Sequence, residues 1–187
     1  MMLEQSLITH SAPTLAGLKT GSLFCFSYSS GAELEAQLSR CRLALQDKGV
    51  RIRILRRTPD RALLYVYRPA KLAQDLQKPG VPEFLAQMGY PSLNPEQALG
   101  RLAQKTARQS CPHEVGLFLG YPLADVVGFV ENEGKNCKCA GCWKVYGNEA
   151  AARRRFAQFK ACRYIYAYQF QNGRTLSQLT VPGPAPS

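Results

Sequence analysis

Three cysteines in the C-terminal third of this 187-residue chain have a spacing that could support chemistry. Cys137, Cys139 and Cys142 form the pattern C-x-C-x-x-C beside the single tryptophan, Trp143. Thiolate sulfur is a ligand of zinc and of iron–sulfur clusters, and the C-x-x-C half can close around one ion. We therefore predict a zinc or iron site with His113 as the fourth ligand. Two other residues are alternatives for that fourth position: Cys111 and Cys162.

The same cysteines allow two interpretations that need no metal. Lysines 135, 138 and 144 are interleaved with them, and nearby cations favour the thiolate. Neighbouring thiols could then resolve one another as a disulfide, which would make the protein redox-responsive. Alternatively, the three cysteines are loop thiols beside a tryptophan that packs in the core, because free cysteine is often buried. The sequence leaves these interpretations open.

A further alternative is a cysteine-nucleophile hydrolase or transferase. In this hypothesis Cys142 is the nucleophile, His113 the base, and Glu114 or Asp125 the group that orients the base. The residues around Cys142 superficially resemble those around the papain nucleophile. Papain has its histidine downstream, whereas both histidines of this chain precede Cys142, so the papain order fails. The hypothesis therefore requires a permuted arrangement, in which the histidine precedes the cysteine in the chain.

A second type of site is suggested by basic residues in the middle of the chain. The formal net charge is +11, and residues 50–110 hold eleven basic and four acidic residues. Arg51, Arg53 and Arg68 lie on or beside a predicted hairpin, where they could form a fork-shaped site for an anionic ligand. We expect nucleic acid, a small anion or an acidic protein as partner. A solvated basic surface is the structural alternative.

Composition limits the class of protein. The hydrophobic fraction of 45% and charged fraction of 20% are typical of a globular protein. No apolar run approaches the roughly 20 residues of a membrane helix, so we expect no membrane partner. The N-terminus lacks the basic flank and apolar core of a signal peptide, and seven cysteines are an odd number. We therefore expect a cytoplasmic protein.

The first half predicts the start of an α+β fold. Ser30 and Glu33 form a capping box at the head of one helix, and a break at residues 11–13 ends another. Strand, helix, strand and hairpin strand follow one another as in half of a ferredoxin-like sheet. The predicted elements are a short helix, a strand, a capped helix and two hairpin strands, over residues 2–9, 22–28, 31–48, 50–57 and 62–67.

The second half predicts a helical middle and a small C-terminal α/β half. Helices are expected over residues 69–76, 81–88, 94–109, 123–132 and 149–161, with a last turn over 175–179. Alternating or continuous apolar patterns favour strands over residues 115–119, 143–146 and 162–170, and a helix is the alternative for the last of these. We predict a mixed or antiparallel sheet flanked by helices. Residues 1–181 are expected to form one domain, with a subdivision near 110–113 and a disordered tail over 182–187.

Four segments together resemble the bacterial domain-of-unknown-function family 3793. They are residues 11–19, 62–69, 113–122 and the cysteine stretch 134–146. They occur in the same order over nearly the whole chain. The resemblance implies that residues 1–181 form one unit rather than a fusion of modules. It implies no activity, and no catalytic residue can be transferred from it.

Overall fold

The computed structural model describes residues 2–108 and 111–183. Its first half contains two helices and three strands in the order α1, β1, α2, β2 and β3. Their bounds are Leu3–Leu15, Gly21–Ser27, Gly31–Leu45, Arg51–Arg57 and Arg61–Tyr67. The strands form an antiparallel sheet in the order β1-β3-β2, with β3 paired to both neighbours. The predicted α+β class and the strand-helix-strand-strand start are confirmed.

Seven helices and a two-stranded ribbon make up the rest of the described chain. The helices are α3 to α9, with bounds Pro69–Leu76, Val81–Gln87, Pro95–Arg108, Val115–Phe118, Leu123–Glu131, Glu149–Gln171 and Leu176–Leu179. Strands β4 and β5 are Cys139–Ala140 and Lys144–Val145, and they pair antiparallel with each other. No helix in the described ranges is long and apolar enough to cross a membrane.

The sheet separates two apolar clusters because side chains alternate between its faces. Val66 of β3 lies in the cluster on one face, with α1, α2 and the C-terminal part of α8. Tyr65 lies in the cluster on the other face, with α3 to α6. A third, smaller cluster surrounds Trp143, where α8 meets the β4–β5 hairpin. The candidate site lies at this third cluster.

Helix α1 is longer than the sequence predicts. It was expected to end before residues 11–13, but it continues to Leu15 with Pro13 inside it. Proline removes one helical hydrogen bond, here to an exposed residue, Thr9. Ala12 and Leu15 are fully buried, so tertiary packing of the last turn outweighs the local preference of proline.

Two predicted strands are helices. Residues 115–119 form the short helix α6, because a continuous apolar run carries no periodicity that separates strand from helix. Residues 162–170 continue α8 to Gln171. The aromatic alternation in that segment favoured a strand, but Phe159, Cys162, Tyr166 and Phe170 recur at helical spacing and pack inward.

Both ends of the predicted domain are partly outside the described residues. Met1, residues 109–110 and the last four residues of the predicted tail lie there; residue 109 ends the predicted helix 94–109, and residue 110 begins the predicted break. Residues 182 and 183 of the predicted tail are described, and the Gly183 N–H donates to the Lys48 carbonyl over 3.0 Å. The disordered tail stays a prediction.

Candidate functional site

The cysteine stretch folds into a very short hairpin. Cys139 pairs with Val145 across it, and the Gly141 N–H donates to the Trp143 carbonyl over 3.0 Å. A Cβ on Gly141 would lie 2.3 Å from the Phe156 ring, so only glycine allows α8 to approach this closely. Cys142 consequently sits in the turn, partly exposed, facing α8.

Asp125 of α7 holds this hairpin in place. Its Oδ2 accepts the Trp143 Nε1–H at 2.7 Å. Its Oδ1 accepts the backbone N–H groups of Tyr146 and Gly147 at 2.8 and 2.7 Å. Asp125 is only 3% exposed, and three donors satisfy its buried charge. The carboxylate therefore fixes the orientation of the indole and of the following backbone.

Three aromatic rings pack against one another beside Cys142. Tyr121 stacks on Trp143 with ring centroids 4.7 Å apart, and Phe156 meets the indole edge-on at 4.6 Å. The Tyr121 hydroxyl donates to the Cys142 carbonyl over 3.2 Å. Burial, with the Cys142 thiol as a lesser cause, raises the pKa of Tyr121 to about 12. The tyrosine therefore stays protonated and keeps donating this hydrogen bond at neutral pH.

Cys142 and His113 line the same cavity, which has a volume of about 390 Å³. Cys111 also lines it, and Phe129 and Trp143 form apolar walls. The structure thus brings together two of the residues that the sequence singled out for chemistry, from loops that are far apart in the chain. Desolvation and the Glu114 carboxylate raise the pKa of Cys111, which keeps that thiol protonated.

Two cations lie close to Cys142 without acidic partners. Nη1 of Arg163 on α8 is 3.9 Å from the Cys142 sulfur. Lys19, which is 8% exposed, places its Nζ 5.2 Å from the centroid of the Tyr121 ring. Within residues 2–108 and 111–183, neither cation forms a salt bridge. Burial, and then the Arg163 charge, lower the pKa of Lys19 to about 8, while Cys142 raises it.

The four predicted metal ligands are not gathered around one centre. Among the described residues, no group of three or more His, Cys, Asp or Glu side chains could hold a metal ion. Apolar and cationic groups surround these thiols instead. Cys139 and Cys142 both pack against the Trp143 cluster, and Nη1 of Arg163 is 3.9 Å from the Cys142 sulfur. Cys137 precedes the hairpin. Desolvation is the main cause that raises the pKa of Tyr146, and Cys137 is the second cause.

Neither proposed orienting carboxylate is hydrogen-bonded to His113 in the described residues. Glu114 accepts from Tyr90 at 3.2 Å and pairs with Lys105. Asp125 is occupied by Trp143 and the hairpin backbone. The His113 ring instead packs against Phe129 with centroids 5.0 Å apart. The predicted Cys–His pairing thus shares a cavity but lacks the expected third group.

The predicted arginine fork is not assembled either. Arg68 is buried and donates to the carbonyls of Thr14, Leu15 and Val181, each at 2.7 Å. Arg53 pairs with Glu96 at 2.6 Å. Arg51 is exposed and, with Arg68, lines a cavity of about 820 Å³. Arg68 and Arg53 thus already have partners within the protein, and anion binding by the three arginines stays a prediction.

Sequence reasoning missed Lys19 and Arg163 as site residues. Lys19 lies in a stretch of glycine, threonine and lysine whose order argues against a phosphate loop, and nothing local links it to Cys142. Arg163 lies in the segment expected to be a strand. Its position four residues after the buried Phe159 was the one available signal, since residues at that spacing share a helix face.

Comparison with protein families gives a match over most of the chain. The family model described as "Protein of unknown function (DUF3793)" matches residues 7–180, which include Lys19, Cys142 and Arg163. No curated protein and no solved structure matches the chain.

Proposed function

Because the chain belongs to the DUF3793 family, whose description assigns no activity, we propose a function from the cavity alone. The proposal is that the protein acts through the thiol of Cys142, as a redox-responsive thiol in a cavity that admits small molecules. The membership also confirms the resemblance found in the sequence. The observation that carries the proposal is the position of the Cys142 sulfur beside Arg163 and near Lys19.

Two unpaired cations next to one thiol favour a negative charge at that place. A buried charge is unfavourable unless it is paired or hydrogen-bonded. In the described part of the chain, no carboxylate forms a salt bridge with Lys19 or Arg163. The group that can supply a negative charge there is Cys142. Thiolate is the form of cysteine that reacts with electrophiles and oxidants, and neighbouring cations stabilise it. The same cations would attract an anionic reactant.

The cavity supports reaction with a second thiol. In the proposed cycle the Cys142 thiolate attacks the O–O bond of a peroxide, which forms a sulfenic acid and releases hydroxide or alkoxide. The released hydroxide or alkoxide takes the proton of the Cys111 thiol, which lines the same cavity. The Cys111 thiolate then displaces hydroxide from the sulfenic acid and forms a disulfide. The peroxide is reduced and the two thiols are oxidised, so the electrons balance.

The proposal is tested by measuring the labelling rate of each cysteine with iodoacetamide at pH 7, using mass spectrometry. We expect Cys142 to react at least about tenfold faster than the exposed Cys25. Arg163→Gln should slow Cys142 roughly three- to tenfold, because it removes the adjacent positive charge. Arg154→Gln, an exposed arginine on the same helix, is the matched control and should leave the rate unchanged.

Equal labelling of Cys142 and Cys25, or equal effects of the two arginine substitutions, would reject a reactive Cys142. Peroxide treatment of the wild-type protein provides the redox test. We expect a Cys111–Cys142 disulfide in peptide maps, and a sulfenic acid trapped by dimedone at Cys142 in Cys111→Ser. Random pairing among the seven cysteines would contradict the proposed cycle.

A second candidate function is a cysteine hydrolase or transferase with His113 as base. The observation in its favour is that His113 and Cys142 line one cavity. In that case His113→Ala should suppress labelling of Cys142 at pH 7. An unchanged labelling rate in His113→Ala would contradict the hydrolase or transferase and leave the redox proposal.

Zinc or iron binding by Cys137, Cys139, Cys142 and His113 stays a prediction. Its measurement is elemental analysis of protein purified without added metal. Less than about a tenth of an equivalent of either metal, with all thiols titratable, would contradict it.

A further inference from the structure

Helix α8 has one face that no other part of the described chain covers. The opposite side of this 23-residue helix packs inward through Phe159 and Cys162. We call the uncovered side the outer face of α8. A row of exposed residues, spaced three and four positions apart, runs along it, and we call this row the seam. The seam consists of Arg154, Ala157, Ala161, Tyr164 and Tyr168. Arg163 points to the Cys142 site and does not belong to it.

The C-terminal half of the outer face is apolar. Tyr164, Ile165 and Tyr168 are 75%, 52% and 58% exposed. The described residues include seven strongly exposed large hydrophobic side chains, and these three lie within five consecutive positions. Single exposed hydrophobic residues are normal, but a contiguous group marks an interaction surface.

The N-terminal half of the outer face is basic. The only acidic residue of α8 is Glu149, and it pairs with Arg153 at 2.7 Å. Within the described ranges, Arg154 and Lys160 form no salt bridge. By contrast, Arg53, Arg57 and Arg61 of the sheet pair with carboxylates. This part of α8 therefore carries uncompensated positive charge.

We propose that the outer face of α8 docks an amphipathic helix of a partner protein, with apolar residues along its seam and acidic residues on its flanks. The seam spacing is that of packed helices, and Ala157 and Ala161 let a second backbone approach closely. Acidic flanks complement Arg154 and Lys160. Such helix-in-groove recognition uses anchors at three- and four-residue spacing.

Two other occupants fit less well. A second copy of this chain would bring another +11 charge, and another Arg154, to the same seam. Single-stranded nucleic acid would satisfy the cations and stack on the tyrosines, but it would leave Ile165 and the alanine positions without apolar partners. Charge and apolar pattern together therefore favour an acidic helix.

Fluorescence anisotropy with labelled synthetic peptides tests the proposal on the full-length protein. One peptide repeats leucine–glutamate heptads, and its counterpart carries lysine in place of glutamate. We expect binding of the acidic peptide only, weakened at least about tenfold by the double substitution Tyr164→Ala and Tyr168→Ala. Leu43→Ala, an exposed leucine on α2, is the matched control and should leave binding unchanged.

Circular dichroism of each variant checks that the fold is retained, which we expect because Tyr164, Tyr168 and Leu43 are all exposed. Equal binding of both peptides, no binding, or an equal loss in Leu43→Ala overturns the proposal. Tighter, tyrosine-dependent binding of oligothymidylate would assign the surface to nucleic acid instead. A wild-type dimer that the double substitution converts to monomer would assign it to a second copy.

Discussion

At the scale of single residues, the environment of Lys19 disfavours its positive charge. It is almost fully buried, close to a second cation, Arg163, and without a carboxylate in the described residues. A lysine without a role would be replaced there by an apolar residue at a gain in stability. Its presence supports a functional use of the charge, because active sites retain groups that destabilise the fold.

The first prediction concerns the substitution Lys19→Met and its dependence on pH. At pH 7 both folded and unfolded chains carry the lysine proton, and the buried charge lowers the free energy of unfolding. Between pH 8 and 10.5 the unfolded chain binds this proton and the folded protein does not, so stability of the wild type rises with pH. We expect Lys19→Met to be more stable at pH 7 by on the order of 2–3 kcal/mol, and equal near pH 10.5.

Urea unfolding at both pH values measures this difference. Lys135→Met is the control, because the Lys135 side chain is 75% exposed and should show no such pH dependence. A wild type that is more stable than Lys19→Met at pH 7 would contradict this prediction, because it would mean that the attraction of Cys142 outweighs the desolvation of the Lys19 charge.

At the scale of elements, the site depends on how closely α7 approaches the β4–β5 hairpin. Gly128 of α7 faces Tyr146, and a Cβ at Gly128 would lie 2.4 Å from the Tyr146 Cβ. That contact is between atoms fixed to two backbones, so it cannot relax by rotating a side chain. The approach places Asp125, one turn earlier on α7, in reach of Trp143.

Gly128→Ala should therefore displace the hairpin and lower the free energy of unfolding by about 1–3 kcal/mol. Gly100→Ala on α5 is the matched control, since nothing lies within 4 Å of its added Cβ. That substitution should stabilise the protein by roughly 0.5–1 kcal/mol through helix propensity. Thermal unfolding measures both, and the fluorescence of the single tryptophan reports on the site. Equal effects of the two substitutions would contradict the close packing of α7.

At the scale of the whole molecule, Arg68 connects segments that are distant in sequence. Its guanidinium follows β3 and donates to carbonyls at the end of α1, at Lys48 and at Val181. Burial lowers the pKa of Arg68. A planar group with five donors can satisfy several carbonyls at once, which an ammonium group cannot do. The residue therefore ties the C-terminal segment to the first half of the chain.

Arg68→Lys should lower the free energy of unfolding by about 2–4 kcal/mol, because buried carbonyls lose their donors. The amides of Val181 and Gly183 should also exchange with solvent faster, since the contacts beside them are lost. Arg51→Lys at an exposed position is the control and should change neither quantity. Unchanged exchange at Val181 would mean that the C-terminal segment is held independently of Arg68.

Local patterns in the sequence were sufficient for much of the fold and for finding the region of the site. The capped helix α2, the β2–β3 hairpin and the helix that begins at Asn148 follow from caps, alternation and helical spacing. The cysteine-rich stretch beside Trp143, which the sequence singled out for chemistry, lines a cavity. These features depend on neighbours within a few residues, so they can be read from the chain itself.

Only the tertiary structure decided which side chains meet at Cys142. Arg163 reaches the Cys142 sulfur from α8, and Lys19, more than a hundred residues earlier in the chain, lies over the ring of Tyr121 beside it. Burial also decided that α1 continues through Pro13 and that residues 162–170 are helical, because packing energy exceeds local propensity. Hydrogen bonds and charges act through space, whereas sequence patterns record only the periodicity of single elements, and this is why the cations at Cys142 were not foreseen.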